Sequence, residues 1–553
     1  MNTTYLSQIN SLKELFNYSI SEFRDNPFIS FVNGTQAYTY SEFGEQTRCI
    51  SDVLSKYGFG KGTKVGIWSQ NMPNWDVAYF SIVAFDRVAV PLLPDFSTAE
   101  GEHIIEHSEI EVLFISKKIF SKLSEKSKER IRLIISTDDF SVIKEGYQTA
   151  SSRIEQGLED LATIIYTSGT TGNSKGVMLS HKNLCTTLRA ASDLRPSHEW
   201  DIWLSILPLS HTLECSCCLL LPFSAGSSIK YLEKAPTPSV LKSAFSEVRP
   251  TTIMSVPLII EKVYRNSILP QFRKNKFIAT IYKSTLGRKI LHRIAGVKLM
   301  KQFGSRVRFF GIGGAKLDGD VERFLYEARF PYAIGYGLTE TSPLLAGAIY
   351  DTRTIGSTGP SVLGTTLKID NPDPETGEGE IVAKGDNVMM GYYKNPEATA
   401  ASFTHDGWFR TKDLGLFDKR NRLFIKGRMG SMIVGASGEN IYPEEIEAVV
   451  NSYNLVDASI VTKKNGKLIA IVHISDEAIS TFKSLKDNLK ENLKQNIQNN
   501  NNKIQDKVNL IKDDILEYVN TRVNKYSRLA AIEVLSNDFE KTATQKIKRY
   551  LYQ

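Results

Sequence analysis

Along its first part the chain alternates short apolar runs with longer amphipathic stretches, the pattern of strands joined by helices. Residues 12–32 predict a helix leading into a short strand and the turn Asn33-Gly34, and residues 38–57 open another helix. Runs 64–68, 88–92 and 112–115 read as buried strands, with helices over 72–85 and 98–107 between them. This alternation predicts a doubly wound α/β layer, whose ligands gather beyond the carboxyl ends of the strands. A second run repeats it, with strands over 202–207, 251–256, 307–312 and 333–336. They empty into turns, among them Pro208-Leu209-Ser210-His211, Gly313-Gly314-Ala315-Lys316 and Gly337-Leu338-Thr339-Glu340-Thr341. Strand ends with glycine let a planar ligand lie against bare backbone.

After Pro360 the pattern changes to strand and turn through TLKID, IVAKG and GYYKN, predicting a β-rich subdomain over about 360–427. The strand 422–426 ends at Gly427-Arg428, where the main boundary is placed. The expected division is an N-terminal domain over 1–428 and a small, mobile α+β C-terminal domain over 429–553. Within the latter, 482–513 is helical at best and otherwise an Asn/Lys-rich insert.

A chain of 553 residues exceeds one ordinary core, so two or more domains are expected. No apolar run reaches the ~20 residues of a membrane span, and the first residues lack a signal peptide's apolar core. A cytoplasmic protein is expected. The five cysteines, three of them in CSCC, fit neither a disulfide framework nor zinc spacing and read as reduced, buried thiols. The net charge of +7 is uneven: from Lys262 to Arg308 stand thirteen Lys or Arg and no acid, interleaved with apolar residues. A solvated basic face is the plain reading. The sharper one is an electrostatic dock for an anionic membrane surface, on its inner face, or for the phosphates of a large cofactor. No nucleic-acid partner is expected, and oligomeric state is left open.

The most chemical stretch is 164–178, IIYTSGTTGNSKGVM, in which all ten residues from Thr167 to Gly176 are Thr, Ser, Gly, Asn or Lys. Bare N–H groups, hydroxyls and one ammonium, Lys175, could form a polyphosphate cradle; a flexible turn is the alternative. The spacing from Gly169 to Ser174-Lys175-Gly176 is not that of a P-loop, and no G-x-G-x-x-G occurs here.

YTSGTTGNSKGVMLSH is very similar to the signature phosphate loop of the adenylate-forming superfamily: acyl-CoA synthetases, peptide-synthetase adenylation domains and luciferases. The resemblance implies that Thr167, Ser168, Gly169, Thr170, Thr171, Gly172 and Lys175 hold ATP phosphates. Gly335-Tyr336-Gly337-Leu338-Thr339-Glu340 matches a second family segment. There Tyr336 offers a face to adenine, Thr339 a hydroxyl to the α-phosphate, and Glu340 a carboxylate to Mg²⁺. Asp413 and Arg428 match positions that bond the ribose hydroxyls, a surface ion pair being the plainer reading. Gly313, Gly314 and Ala315 are placed with the nucleotide. His211 resembles the residue lining the carboxylate end of the acid pocket, although a packed or capping histidine is its plain reading. Cys215 stands where some long-chain members carry a tryptophan gate.

Gly430-Ser431 stands where many relatives have the Lys-Asp hinge. Gly438 lies in the loop that would pass pantetheine, and Lys546, preceded by Gln545 rather than Gly, matches the adenylation lysine. Lys541 and Lys548 are the fallbacks, and a basic C-terminal helix is the plain reading. The resemblance spans nearly the whole chain and favours the long-chain fatty acid–CoA ligase branch, with ATP, Mg²⁺, fatty acid and CoA as its implied ligands. Alternatives are a fatty acyl-AMP ligase delivering to a carrier protein, a ligase for an aryl or branched acid, and a catalytically silent nucleotide-binding regulator.

Overall fold

A computed structural model describes the chain except residues 1–2, 147–156, 168–173, 351, 435–439, 454, 475–499, 536, 543–546 and 553. Two eight-stranded sheets dominate the described residues. In the first, Val112–Ile115, Lys64–Trp68, Val88–Leu92 and Leu161–Thr167 run parallel. Val88–Leu92 and Val112–Ile115 are buried at every position, as strands covered on both faces must be. At the edge the chain turns back: Leu161–Thr167 pairs antiparallel with Lys175–Ser180, Thr167 opposite Lys175. The two-residue strand Gly391–Tyr392 then adds outside it, Tyr392 opposite Val177.

The second sheet is parallel through Ser228–Tyr231, Ile202–Ser205, Thr252–Ser255, Phe309–Ile312 and Tyr332–Tyr336, and closes with antiparallel Ala346–Ala348. Its other flank takes the first strand of the chain, Pro27–Phe31, parallel to Ser228–Tyr231. The sequence pattern groups that strand with those that follow it. An aromatic cluster accompanies this placement: Phe28 packs 4.5 Å from Tyr40 and 5.0 Å from Phe223, which ends the short helix before Ser228–Tyr231. Ring pairs of this kind add about 0.5–1.5 kcal/mol each beyond area burial.

The β-rich part is a four-stranded antiparallel sheet, Thr365–Asp370, Gly379–Gly385, Phe409–Phe417 and Leu423–Arg428. GYYKN is corrected: its strand belongs to the first large sheet, leaving this small one to be completed by Phe409–Phe417. Beyond it, Ala458–Lys464 and Lys467–His473 form a hairpin whose turn residues Asn465 and Gly466 both adopt positive φ, the backbone that a twisted two-residue turn requires. Ala531–Leu535 adds in parallel. The helices Pro443–Asn451 and Asn500–Asn520 bury Ile446, Val450, Ile511, Ile515 and Val519 against this sheet, in a core of its own. The end of the Asn/Lys-rich stretch is therefore packed helix, and the rest lies outside the described residues.

Cys185, Cys215, Cys217 and Cys218 are buried free thiols; Cys49, expected with them, is exposed. Among the described residues no helix is long and apolar enough to cross a membrane.

Candidate active site

The strand Tyr332–Tyr336 ends in a tight turn. A Cβ on Gly337 would fall 1.5 Å from the Pro343 carbonyl oxygen, so only glycine fits. One short helical turn, Thr339–Thr341, follows, held by the Leu338 N–H donating to Thr341 Oγ1 at 3.0 Å. This compact segment carries Tyr336 at one end and Glu340 at the other.

At the first end the Tyr336 hydroxyl donates to Asp413 Oδ2 at 2.8 Å, and Arg428 Nε lies 3.2 Å from Asp413 Oδ1. Asp413 and Arg428 face each other directly across adjacent strands, so register alone brings them together. Tyr336 is 7% exposed, its ring packed with Leu345, Ala346, Ile381 and Leu423. Burial, then the Asp413 charge, pushes its hydroxyl far above the usual range, so it remains a donor. The stacking expected of Tyr336 is left with the little ring surface this cluster exposes.

At the second end the Tyr392 hydroxyl donates to Glu340 Oε1 at 2.9 Å, and Lys175 Nζ sits 4.9 Å from the centre of the Tyr392 ring. Burial, then Glu340, raises the Tyr392 hydroxyl too. The backbone makes this junction rigid. Met389 N–H donates to the Glu340 carbonyl at 2.8 Å and Tyr393 N–H to the Gly176 carbonyl at 2.8 Å, while Asn387 Nδ2 reaches the Leu344 carbonyl at 2.7 Å. Residues 387–393 thus clamp the Glu340 turn to the strand that carries Lys175. The sequence does not single out Tyr392, and no signal in GYYKN separates it from an ordinary strand tyrosine.

Among the described residues no Lys or Arg forms an ion pair with Glu340, and no cluster of three metal-type ligands occurs. One uncompensated carboxylate is the donor set of a Mg²⁺ that takes its other oxygens from phosphates and water. The residues present fit that ion and would not hold one of higher protein-ligand demand.

Three turns meet beside Tyr336. A Cβ on Gly313 would lie 3.6 Å from the Gly335 carbonyl oxygen and 3.3 Å from a Leu213 methyl, and Gly314 takes φ +84°. His211 caps the short helix Thr212–Glu214, its Nδ1 accepting from the Leu213 N–H at 3.3 Å. Ala315 precedes Lys316, which pairs with Glu445 of the C-terminal region at 3.3 Å. The structure therefore assembles Lys175, Glu340 and Tyr392, and separately Tyr336, Asp413 and Arg428, with Gly313 beside Gly335 and Leu213, and His211 capping the turn that carries Leu213.

Ser168, Gly169, Thr170, Thr171, Gly172, Gly438 and Lys546 lie outside the described residues. On the described flanks of Lys546, Lys541 pairs with Ile547 in an isolated antiparallel bridge, Lys548 N–H donates to the Glu540 carbonyl at 2.9 Å, and Arg549–Leu551 forms one short helical turn. Among the described residues of this segment the basic-helix reading keeps only the short turn Arg549–Leu551. The fallback lysines are engaged, Lys541 with Asp538 at 2.8 Å and Lys548 with Glu540 at 3.9 Å. Gly430 sits in an exposed turn where a Cβ would meet nothing within 4 Å.

Two buried acids escaped the sequence reading because they lie inside apolar helical stretches. Glu214 accepts from Ser205 Oγ at 2.6 Å and is pushed up to about 7 by burial. Asp76 accepts from the Tyr231 hydroxyl at 2.6 Å and is raised by burial against that bond, with Glu214 adding to the rise.

A family model described as AMP-binding enzyme matches residues 16–393. The chain is 28% identical to long chain acyl-CoA synthetase 1 of Arabidopsis thaliana, over 86% of this chain and 80% of that one. It is 25% identical to the long-chain-fatty-acid–CoA ligase FadD15 of Mycobacterium bovis, over 92% and 89%. Among solved structures, O-succinylbenzoate coenzyme A synthetase (MenE) of Bacillus subtilis, in complex with ATP and magnesium ion, is similar in fold. That likeness has a TM-score of 0.72 at 21% identity, covering 97% of this chain and 98% of that one.

Proposed function

The chain belongs to the AMP-binding enzyme family, and from that premise we propose that it activates a long-chain fatty acid with ATP and passes the acyl group to coenzyme A. The observation that carries this reading is the pair of tyrosine–carboxylate–cation groups at the two ends of 336–340, one suited to hydroxyls and one to a metal-bound phosphate. The relatives named as long-chain acyl-CoA synthetases support the choice of acid.

In the first step the acid's carboxylate oxygen attacks the α-phosphorus of ATP, the bond to the β-phosphate oxygen breaks, and acyl-AMP and pyrophosphate form. Asp413, held by Tyr336, accepts from the ribose hydroxyls while Arg428 balances its charge. Gly313, Gly314, Ala315 and Gly335 leave backbone open to adenine, and Gly337 lets the turn beside them close against Pro343. Thr339 donates to the α-phosphate, and Thr167 and Lys175, with Ser168 to Gly172 between them, receive the leaving pyrophosphate. Glu340 would hold Mg²⁺, which supplies charge neutralisation on the phosphates when bound. His211 borders the carboxylate, and Lys546 stabilises charge during adenylation.

In the second step the thiol of CoA attacks the acyl carbonyl and AMP leaves. The domain beyond Gly427-Arg428 turns about Gly430-Ser431, withdrawing Lys546 and bringing Gly438 alongside the pantetheine arm. The Lys316–Glu445 contact supports a C-terminal region that works at this site.

Pyrophosphate release and AMP formation, measured over a panel of acids with and without CoA, test the reading. CoA-dependent AMP formation with long-chain acids is expected. Activity only with a carrier protein, or only with aryl or branched acids, would redirect it, and no turnover with any acid would leave a silent nucleotide binder. Lys546→Ala should abolish adenylation and largely spare thioester formation from supplied acyl-AMP.

A further inference from the structure

The helix Thr285–Gln302 is apolar on two opposite sides. One side packs inward through His292, Ala295 and Leu299. The other presents Leu286, Ile290, Ile294 and Val297, which are 72%, 51%, 53% and 60% exposed. At 100° per residue these four fall within one 80° arc, centred opposite the buried side. The preceding helix, Lys276–Lys283, has no buried residue and leaves Phe277 75% exposed. Isolated exposed aliphatics are ordinary, but a stripe of four on one helix face, beside an adjoining helix that also leaves a phenylalanine bare, is not.

Charge borders the stripe. Lys289 and Arg293 lie along one margin of the long helix and Lys298 along the other, with Lys301 at its end and Lys276 and Lys283 on the short helix. Of the thirteen basic residues from Lys262 to Arg308, only Arg265 and Arg288 form ion pairs among the described residues. A basic surface alone would suit any polyanion. Bulky aliphatic side chains flanked by unpaired ammonium groups match a bilayer, whose acyl boundary takes the former while anionic headgroups take the latter.

We propose that the helices Lys276–Lys283 and Thr285–Gln302 dock the protein on an anionic bilayer, inserting Phe277, Leu286, Ile290 and Val297 below a ring of basic residues. The contact is peripheral, since neither helix can span the membrane. It requires none of the adenylation chemistry and would place an enzyme of water-insoluble acids at the phase where they reside.

Flotation of the full chain with vesicles of phosphatidylcholine, alone or mixed with phosphatidylglycerol, tests this at low and high salt. Binding is expected only to the anionic vesicles, weakened at high salt. Ile290→Asp/Val297→Asp should abolish flotation, and Lys289→Glu/Arg293→Glu should weaken it by tenfold or more. All these positions are at the surface, so circular dichroism and pyrophosphate release with a soluble short acid should match the parent chain. Absence of flotation by the parent chain, equal binding to neutral vesicles, or unchanged flotation of both variants would overturn the dock. So would a shift of the parent chain from dimer to monomer by Ile290→Asp/Val297→Asp, which would assign the stripe to a second copy, or retention of RNA in place of lipid. Pyrophosphate release on the same preparation reports separately whether the catalytic reading has failed.

Discussion

Tyr336 and Glu340 stand four residues apart, and each belongs to a trio of tyrosine, carboxylate and cation, yet the two trios are wired in opposite senses. At the Tyr336 end the segment supplies the tyrosine, the small sheet supplies Asp413, and the cation Arg428 lies on the carboxylate at 3.2 Å. At the Glu340 end the segment supplies the carboxylate, the distant strand supplies Tyr392, and the cation Lys175 lies over the ring at 4.9 Å. Where the cation sits decides the chemistry. Under the proposed function Asp413, paired with Arg428, would take the neutral ribose hydroxyls, and Glu340, which has no ion pair among the described residues, would take the divalent ion.

The harshest test of that difference removes each charge in turn. Glu340→Gln retains an acceptor for Tyr392 but loses the charge, and adenylation kcat should fall on the order of 10³-fold, with a higher Mg²⁺ requirement. Asp413→Asn should act chiefly on the KM for ATP. Pyrophosphate release over ATP and Mg²⁺ series separates the two; equal kcat losses would erase the distinction between the trios. Lys175→Ala comes next. It should slow adenylation by about 10²-fold, as loss of one preorganised charge donor does, while the affinity for acid changes little. An unchanged rate would return the hairpin loop to a plain turn.

Smaller effects sharpen the roles of the two tyrosines. Tyr392→Phe keeps the ring beneath Lys175 and deletes the 2.9 Å bond to Glu340. A hydrogen bond to a charged group is worth about 1.5–3 kcal/mol, so kcat should drop at least tenfold, with partial recovery at high Mg²⁺. Tyr336→Phe should instead raise the KM for ATP. If Mg²⁺ rescues neither or both, Tyr392 is not a positioning residue for Glu340.

The Tyr336 trio was largely legible before the structure, and the Glu340 trio only in part. Gly335 to Glu340 is one contiguous motif and the family resemblance points to Asp413 and Arg428, but their facing positions on consecutive strands come from the structure, since Phe409–Phe417 is not read as a strand in the sequence. Tyr392 reaches its partners through a two-residue strand paired across more than two hundred residues, too short to show a period and too distant for turn geometry to fix its register. Pro27–Phe31 likewise pairs away from its sequence neighbours, in the sheet where Phe28 packs against Phe223. Alternating strands and helices, by contrast, follow from hydrophobic periodicity and were legible through most of the two parallel cores, Leu133–Ser136 and Ser228–Tyr231 being the strands missed. Asp76 and Glu214 were not, since a single acid in an apolar helix reads as a solvated position until burial is seen.

Glu214 supplies the mildest test, because it resembles Glu340 in having a hydroxyl donor, Ser205, and no ion pair among the described residues, but differs in being fully buried. Burial alone lifts its carboxyl from 4.5 to about 7. The folded chain therefore holds this proton where the unfolded chain has released it. Its contribution to stability is fully present below about pH 4.5 and is lost as pH rises through about 7. At about 1.4 kcal/mol per pH unit the whole interval amounts to roughly 3 kcal/mol, with Asp76 titrating alongside. Glu214→Gln should flatten the fall in the denaturation midpoint between pH 5 and pH 8 and leave adenylation kcat within about twofold. An unaltered pH slope would show that the carboxyl is ionised in the fold, so that burial does not separate Glu214 from Glu340, and the assignment of the metal to Glu340 would then rest on the position of Lys175 alone.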